Sequence, residues 1–354
     1  MNVDLFVRIV CFMVVLWIVI YLLQQFKKKS CSSVSLASSI RGISSSEDKY
    51  KYKLRDYHIK SSYNSCARGD FKNDWVNLCA LENVIKQGCR CLDFEIYQVD
   101  GRTVVATSDS NKVTEKGTYN SLPIDSVIKT ISEKAVSNSM TSDDCPNPYD
   151  PLLLHFRIKS NHIEVYDDIA DALVKYLDSK LLPNENSYEN NGENLGALPL
   201  NTLLGKVIIM VDKIESNHIR ATKMDELTNI MGNSAFLHSL RYDDIIYTPD
   251  MDEMIDYNKK NMTIAYPNLT YQATNYDSSK VMFYGVQMPA MCFQIIDPKL
   301  EAYNKMFELN NTAFILKPED LRYIPVEVKE ATPIDPKLSY GYNSYKSDQY
   351  NFNL

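Results

Sequence analysis

The chain has 354 residues, is 45% hydrophobic and 23% charged, and carries a net charge of −7. This is a globular composition that excludes wholesale disorder, and the acidic balance excludes the electrostatic footprint of a nucleic-acid binder. Plentiful Asn, Tyr, Lys and Ile beside only 11 Gly suggest AT-rich coding, of the kind some large DNA viruses and protists show.

Leu5–Leu23, LFVRIVCFMVVLWIVIYLL, is apolar except for Arg8. At 1.5 Å per residue it reaches about 28 Å, close to the roughly 30 Å of a bilayer's hydrocarbon layer. QQFKKK follows in place of a small-residue cleavage site, which predicts a single-pass transmembrane anchor over residues 1–29. Lys27, Lys28 and Lys29 outweigh Arg8, so the body of the protein is expected on the cytosolic, or virion-interior, side. Residues 30–50 form a serine-rich linker. The eight cysteines are scattered without a zinc-binding spacing, which predicts free buried thiols in a reducing compartment. Glycosylation sequons at Asn261, Asn268 and Asn310 point weakly the other way.

From Lys51 to Pro325 short apolar runs alternate with amphipathic stretches. Strands are predicted at Cys91–Tyr97, Val104–Thr107, Leu152–Ile158, Val207–Val211, Met291–Ile295 and Ala313–Leu316. Helices are predicted at Trp75–Gln87, Ile124–Ala135, Val165–Lys180, Met224–Met231 and Leu300–Leu309. This alternation implies a parallel sheet, and about 270 residues suit a closed barrel with its site at the C-terminal strand ends. Residues 326–354 are rich in Tyr and Asn without periodicity and read as a tail, either a disordered end or an interaction arm.

Several strings stand in a telling order. They are Ser61-Ser62-Tyr63-Asn64-Ser65, Gly88-Cys89-Arg90-Cys91-Leu92-Asp93-Phe94-Glu95, Pro151-Leu152-Leu153-Leu154-His155-Phe156-Arg157 and Leu203-Leu204-Gly205-Lys206-Val207. Ala265-Tyr266-Pro267, Thr274-Asn275-Tyr276-Asp277, Gly285-Val286-Gln287 and Phe314-Ile315-Leu316-Lys317-Pro318 follow. The series resembles eukaryotic phosphoinositide-specific phospholipase C through both the X and Y halves of its catalytic domain. The resemblance implies a distorted TIM (β/α)8 barrel, with an X-like half over 51–213 and a Y-like half over 214–325.

It also implies a chemistry of two histidines and a calcium ion acting on an inositol phosphodiester. Here Tyr63 and Thr107 stand at the two histidine positions, and neither is a proton shuttle at neutral pH. Of the implied calcium ligands, Asn64, Asp93 and Glu95 persist, with Arg157 at the fourth position. An arginine there repels a metal and is expected to bridge Asp93 or Glu95 instead. In the implied head-group pocket Tyr266 remains, whereas Met210, Asp212 and Ile264 replace cations.

Five histidines exist. His155 is the candidate for rescued catalysis, His58 is expected to face away from the site, and His162, His218 and His238 are expected at the surface. The expectation is a membrane-anchored pseudoenzyme without a cofactor, its barrel a binding or structural module for a phosphoinositide or a protein partner. The alternatives are a divergent calcium-dependent phosphodiesterase using His155, and a virion or membrane scaffold that acts through its tail.

Overall fold

The structure, a computed structural model, describes residues 3–29, 39–136, 144–212, 219–325 and 343–354. It divides into two units, Met1–Tyr323 and Ile324–Leu354.

Eight parallel strands form a nearly closed barrel. They are β1 (Ser61–Ser62), β2 (Cys91–Val99), β3 (Leu152–Ile158), β4 (Val207–Asp212), β5 (Ile230–Gly232), β6 (Leu237–Arg241), β7 (Met262–Tyr266) and β8 (Met288–Met291). Apart from β5 and β6, each pairs with the next in parallel, and β8 returns to β1 through Ala290↔Ser61 and Met291↔Ser62. One seam is open: β5 and β6 are consecutive but share no ladder.

The strands of the first half are buried on both faces, as parallel barrel strands covered by helices must be. Phe94 and Phe156 stack at 5.9 Å between β2 and β3, while Asp93 lies opposite His155 and Glu95 opposite Arg157. Period-two alternation therefore gathers the polar residues of neighbouring strands on one face. Helix Leu78–Lys86 starts at Asn77, whose side chain accepts from Cys79 N, and the chain leaves it through Gly88 at φ +77°. Helix Pro298–Leu309 starts at Asp297, which accepts from Leu300 N at 2.8 Å.

Several predicted elements are corrected. Val104–Thr107 belongs to strand Arg102–Ala106, which folds back antiparallel on β2 outside the barrel circuit. Ala313–Leu316 contains strand Phe314–Leu316, antiparallel to Tyr57–Ile59 and again outside the barrel. The strand assigned to Met291–Ile295 ends at Met291 and begins at Met288. Met224–Met231 is a one-turn helix, Lys223–Leu227, that gives way to β5, because a three-residue strand is too short to show a period of its own.

Cys11, Cys66, Cys89, Cys91, Cys145 and Cys292 are free thiols, whereas Cys79, expected free, is disulfide-bonded. Helix Val3–Lys29 carries the apolar stretch Asp4–Leu23, long enough for a membrane span or a signal sequence. In the second unit, Ser344–Lys346 and Asn351–Asn353 form an antiparallel hairpin with Tyr345 stacked on Phe352, where the sequence showed no periodicity. Residues 30–38 of the serine-rich linker lie outside the described residues, as does His218, but residues 39–50 are packed rather than loose: Ile40, Ile43 and Tyr50 are buried in the core, and Ile43 N donates to Asp150 Oδ1 at 2.7 Å.

Candidate active site

The C-terminal ends of the strands hold a buried ion cluster. Arg157, on β3, is its centre. Its Nε donates to Asp93 Oδ1 at 2.8 Å, its Nη2 to Asp93 Oδ2 at 2.7 Å and to Asn64 Oδ1 at 2.8 Å, and its Nη1 to Glu95 Oε1 at 2.5 Å. The two contacts to Asp93 make a bidentate fork, the strongest geometry a guanidinium offers a carboxylate. Asn64 sits at φ +46°, a left-handed turn that Asn tolerates, and this turn aims its N–H at Asp93 Oδ2, 2.9 Å away.

His155 lies two residues upstream on the same face. Its Nδ1 meets Asp93 Oδ1 at 2.8 Å and its Nε2 meets Asp212 Oδ1 at 3.3 Å. Lys159, two residues beyond Arg157, reaches Glu95 Oε1 at 3.3 Å. Tyr97 donates to Glu95 Oε2 at 2.8 Å, and Ser239 Oγ joins His155 on Asp212 Oδ1 at 2.6 Å. Three carboxylates thus face three cations, and Asp93, Glu95 and His155 are each 0% exposed.

The electrostatics follow. Burial raises the cost of the Asp93 carboxylate, yet Arg157 and His155 hold its pKa well below the usual range. Burial likewise opposes charge on Asp212, but His155 lowers its pKa overall. Burial disfavours the His155 imidazolium, but Asp212 and Asp93 outweigh it and raise the pKa to about 9. Arg157 pays desolvation too, and Asp93, Tyr63 and Glu95 keep it charged well above its ordinary value. His155 is therefore a fixed cation at neutral pH with both ring nitrogens occupied.

A layer of aromatic rings and one more arginine closes the mouth. The Arg157 guanidinium lies 4.6 Å from the Tyr63 ring centre and 5.2 Å from that of Tyr266. Tyr63 packs edge-on against Phe71 at 5.3 Å, and Arg241 donates to its hydroxyl at 3.0 Å and to Pro267 O at 2.9 Å. Tyr63 is 1% exposed and Arg157 3%, so the ion cluster is shut off from solvent. Burial outweighs the pull of Arg157 and Arg241 and raises the Tyr63 phenol pKa.

Thr107 donates to Phe71 O at 3.0 Å and pins a loop rather than facing a reacting group. Met210 and Ile264 are buried among the barrel's apolar side chains. His58 is buried with its Nδ1 against Val286 O at 2.7 Å. His238, expected at the surface, lies on β6 half-buried and stacked on Tyr257 at 3.8 Å. Lys159, Ser239 and Arg241 were not singled out from the sequence. Lys159 continues the 155, 157 alternation and was legible on that ground, whereas Ser239 and Arg241 ride on a strand with no clear pattern.

A divalent cation does not fit this donor set. Asn64 Oδ1 and both Asp93 oxygens accept from Arg157, Glu95 accepts from Arg157, Lys159 and Tyr97, and a positive side chain fills the space between them. Among the described residues, no group of three or more His, Cys, Asp or Glu side chains is arranged to hold a metal ion.

Comparison with known proteins matches residues 50–213 to phosphatidylinositol-specific phospholipase C, X domain, and residues 205–320 to its Y domain. The human 1-phosphatidylinositol 4,5-bisphosphate phosphodiesterase gamma-2 is 34% identical over 82 residues, 23% of this chain and 6% of that protein. Its Rattus norvegicus counterpart is 33% identical over 72 residues, 20% of this chain and again 6% of the relative. The crystal structure of S. officinalis PLC21 superposes with a TM-score of 0.64 at 19% identity, covering 82% of this chain and 39% of the other. That of L. pealei PLC21 gives 0.62 at 19% identity, covering 77% and 38%. The chain thus spans well under half the length of these relatives.

Proposed function

Since the chain belongs to the phosphatidylinositol-specific phospholipase C family, with X and Y halves joined in one barrel, we propose that it is a catalytically silent member whose barrel serves as a binding or structural module. The observation that carries this reading is the position of Arg157. Its guanidinium lies among Asn64, Asp93 and Glu95, where the family resemblance implies calcium ligands, and Tyr63 and Tyr266 cover it. The chemistry needs a base to take a proton, an acid to protonate a leaving group, and access for the phosphodiester. Tyr63 is buried with a raised pKa, Thr107 cannot donate a proton to a leaving group, and His155 is clamped between two carboxylates.

We place the protein at a membrane through residues 5–23, with the barrel on the cytosolic side. Lys27–Lys29 support that orientation, and the disulfide at Cys79 is the observation against it. Protease protection of the barrel in sealed vesicles decides between the two sides.

The catalytic test is direct. The full chain in lipid nanodiscs, given phosphatidylinositol or its 4,5-bisphosphate with and without calcium, is expected to release no inositol phosphate and to show no calcium-binding heat. Hydrolysis that disappears in His155→Ala would overturn the reading and establish an active, divergent phosphodiesterase. A function in the tail is separable: partner binding lost on deleting residues 327–354 assigns the role to that unit.

A further inference from the structure

On the outer wall of the Y half, helices Tyr242–Ile246, Met251–Lys260 and Ser278–Phe283 come together around Tyr284. The Tyr284 hydroxyl donates to Ile246 O at 3.5 Å, and its carbonyl accepts from Asn258 Nδ2 at 2.8 Å. Phe283 packs edge-on against the Tyr284 ring at 6.0 Å, and Tyr247 follows Ile246. Tyr247 is 79% exposed, the highest value of any large apolar side chain among the described residues, and Phe283 is 60% exposed. Met251, which opens the second helix, is exposed beside them. We propose that this patch docks a basic segment of a protein partner, one that sets aliphatic or aromatic side chains among lysines or arginines. It gives the binding-module reading a partner, and it fails separately from that reading's hydrolysis test.

The apolar side chains supply the anchor points. The inward positions of these helices are already taken by Ile245, Val281 and Met282, which are buried, so the exposed rings have no place in the core. Exposed Tyr, Phe and Met are the residue types that partners bury at the centre of an interface, and single contacts of this kind carry much of the affinity.

The rim decides the sign of the partner. Asp243, Asp244, Asp250, Asp252, Glu253 and Asp256 fall in a stretch, 243–256, that contains no lysine or arginine. Three of them have local duties: Asp244 accepts from Arg241 N at 3.1 Å, Asp250 from Glu253 N at 2.9 Å, and Asp256 meets Lys259 at 3.3 Å. Asp252 and Glu253 also favour the first turn of their helix, but among the described residues neither they nor Asp243 have a side-chain partner. The nearby cations do not cancel this charge. Residues 242–260 and 277–284 hold seven carboxylates against three lysines, Lys259, Lys260 and Lys280, and Arg241 is turned to Tyr63 and Pro267. A basic partner is steered to such a rim, whereas an anionic lipid surface is repelled by it.

The test uses the full chain in phosphatidylcholine nanodiscs and two short synthetic amphipathic peptides with the same leucine and tryptophan spacing. One carries lysines and the other glutamates, and empty discs give the background. The lysine peptide is expected to bind saturably above background, and more weakly as salt rises; the glutamate peptide is not. Tyr247→Ser/Phe283→Ser is expected to weaken that affinity about tenfold or more, and Asp252→Asn/Glu253→Gln to flatten its salt dependence. Tyr149→Ser removes another exposed ring (57%), ahead of β3, and should bind as the parent does. All these side chains are exposed, so each variant should melt like the parent protein. Equal binding of the two peptides, no binding above background, or full affinity in the Tyr247/Phe283 variant overturns the proposal. An environment-sensitive dye at Tyr247→Cys that reports insertion into added phosphatidylserine vesicles makes a lipid surface the occupant, and overturns it too.

Discussion

Arg157 and Asp93 form a two-pronged pair, with Nε 2.8 Å from one carboxylate oxygen and Nη2 2.7 Å from the other. Both side chains are almost wholly buried. Replacing a buried ion pair outright can be neutral, but removing one partner leaves an uncompensated charge. Arg157→Leu strands Asp93 and Glu95 together, and is expected to lower stability by roughly 3–5 kcal/mol. Urea unfolding measures this. A loss below about 1 kcal/mol, the value of an exposed pair, would show that the fork carries little.

Arg157→Glu inverts the charge at the same place and leaves four oxygen-bearing side chains converging. It is expected to unfold at a lower temperature than the parent in chelator, and to recover when calcium is added. Saturation at about a hundred times the dissociation constant corresponds to a gain of about 2.7 kcal/mol. Melts in calcium, magnesium and chelator are the measurement, and an Arg157→Glu melt indifferent to calcium contradicts a metal-like geometry at this position.

His155 sets a pH dependence with a definite sign. Its pKa is raised from 6.5 unfolded to about 9 folded, so its contribution is complete below about pH 6.5 and lost as pH rises through 9. The difference amounts to about 3 kcal/mol. Lys60 and Lys317 act oppositely: burial depresses their pKa values to about 8 and about 7, so stability rises as they lose protons in alkali. The informative quantity is therefore the parent minus His155→Gln, which should shrink between pH 6.5 and 9. At the acid end, Asp93 and Asp212 have lowered pKa values, so their contribution is present above about pH 4 and lost on further acidification.

Gly232 ends β5 against Asp212. A Cβ there would lie 2.1 Å from Asp212 Oδ1 and 3.0 Å from its backbone Cα. Asp212 cannot swing aside freely, because Ser239 and His155 hold the same oxygen. Gly232→Ala is expected to cost about 1–3 kcal/mol, read by thermal unfolding, and a parent-like melt would mean that Asp212 moves without penalty.

How much of this was legible depended on the length of each element. The long strands Cys91–Val99, Leu152–Ile158 and Val207–Asp212 show enough apolar residues to be placed from the chain alone. Ser61–Ser62 and Ile230–Gly232 do not, because two or three residues cannot display a period and are strands only through their neighbours. Leu237–Arg241 is longer, but LHSLR has its apolar residues three apart and shows no alternation, which hid Ser239 and Arg241 with it. Arg157 was legible because it stands at the fourth calcium-ligand position that the family resemblance implies, and the structure brings it there by pairing it with Glu95, the i, i+2 spacing placing Asp93, Glu95, His155 and Arg157 on one face. The aromatic cover was not. Tyr63 was expected as a vacated proton-transfer position, but its packing on Phe71 and its bond from Arg241 join residues far apart in the chain.

The open seam gives Asp212 a second importance. It leaves β4, passes β5, and takes the Ser239 hydroxyl of β6 at 2.6 Å, while Asn233 Oδ1 accepts from Ser239 N at 3.1 Å. Where the backbone supplies no ladder, these side chains are the clasp that keeps the hoop shut. Amides flanking the seam should exchange with solvent before those of β2 and β3, and sooner still in Asp212→Asn. The carboxylate that holds His155 is also the buckle of the barrel.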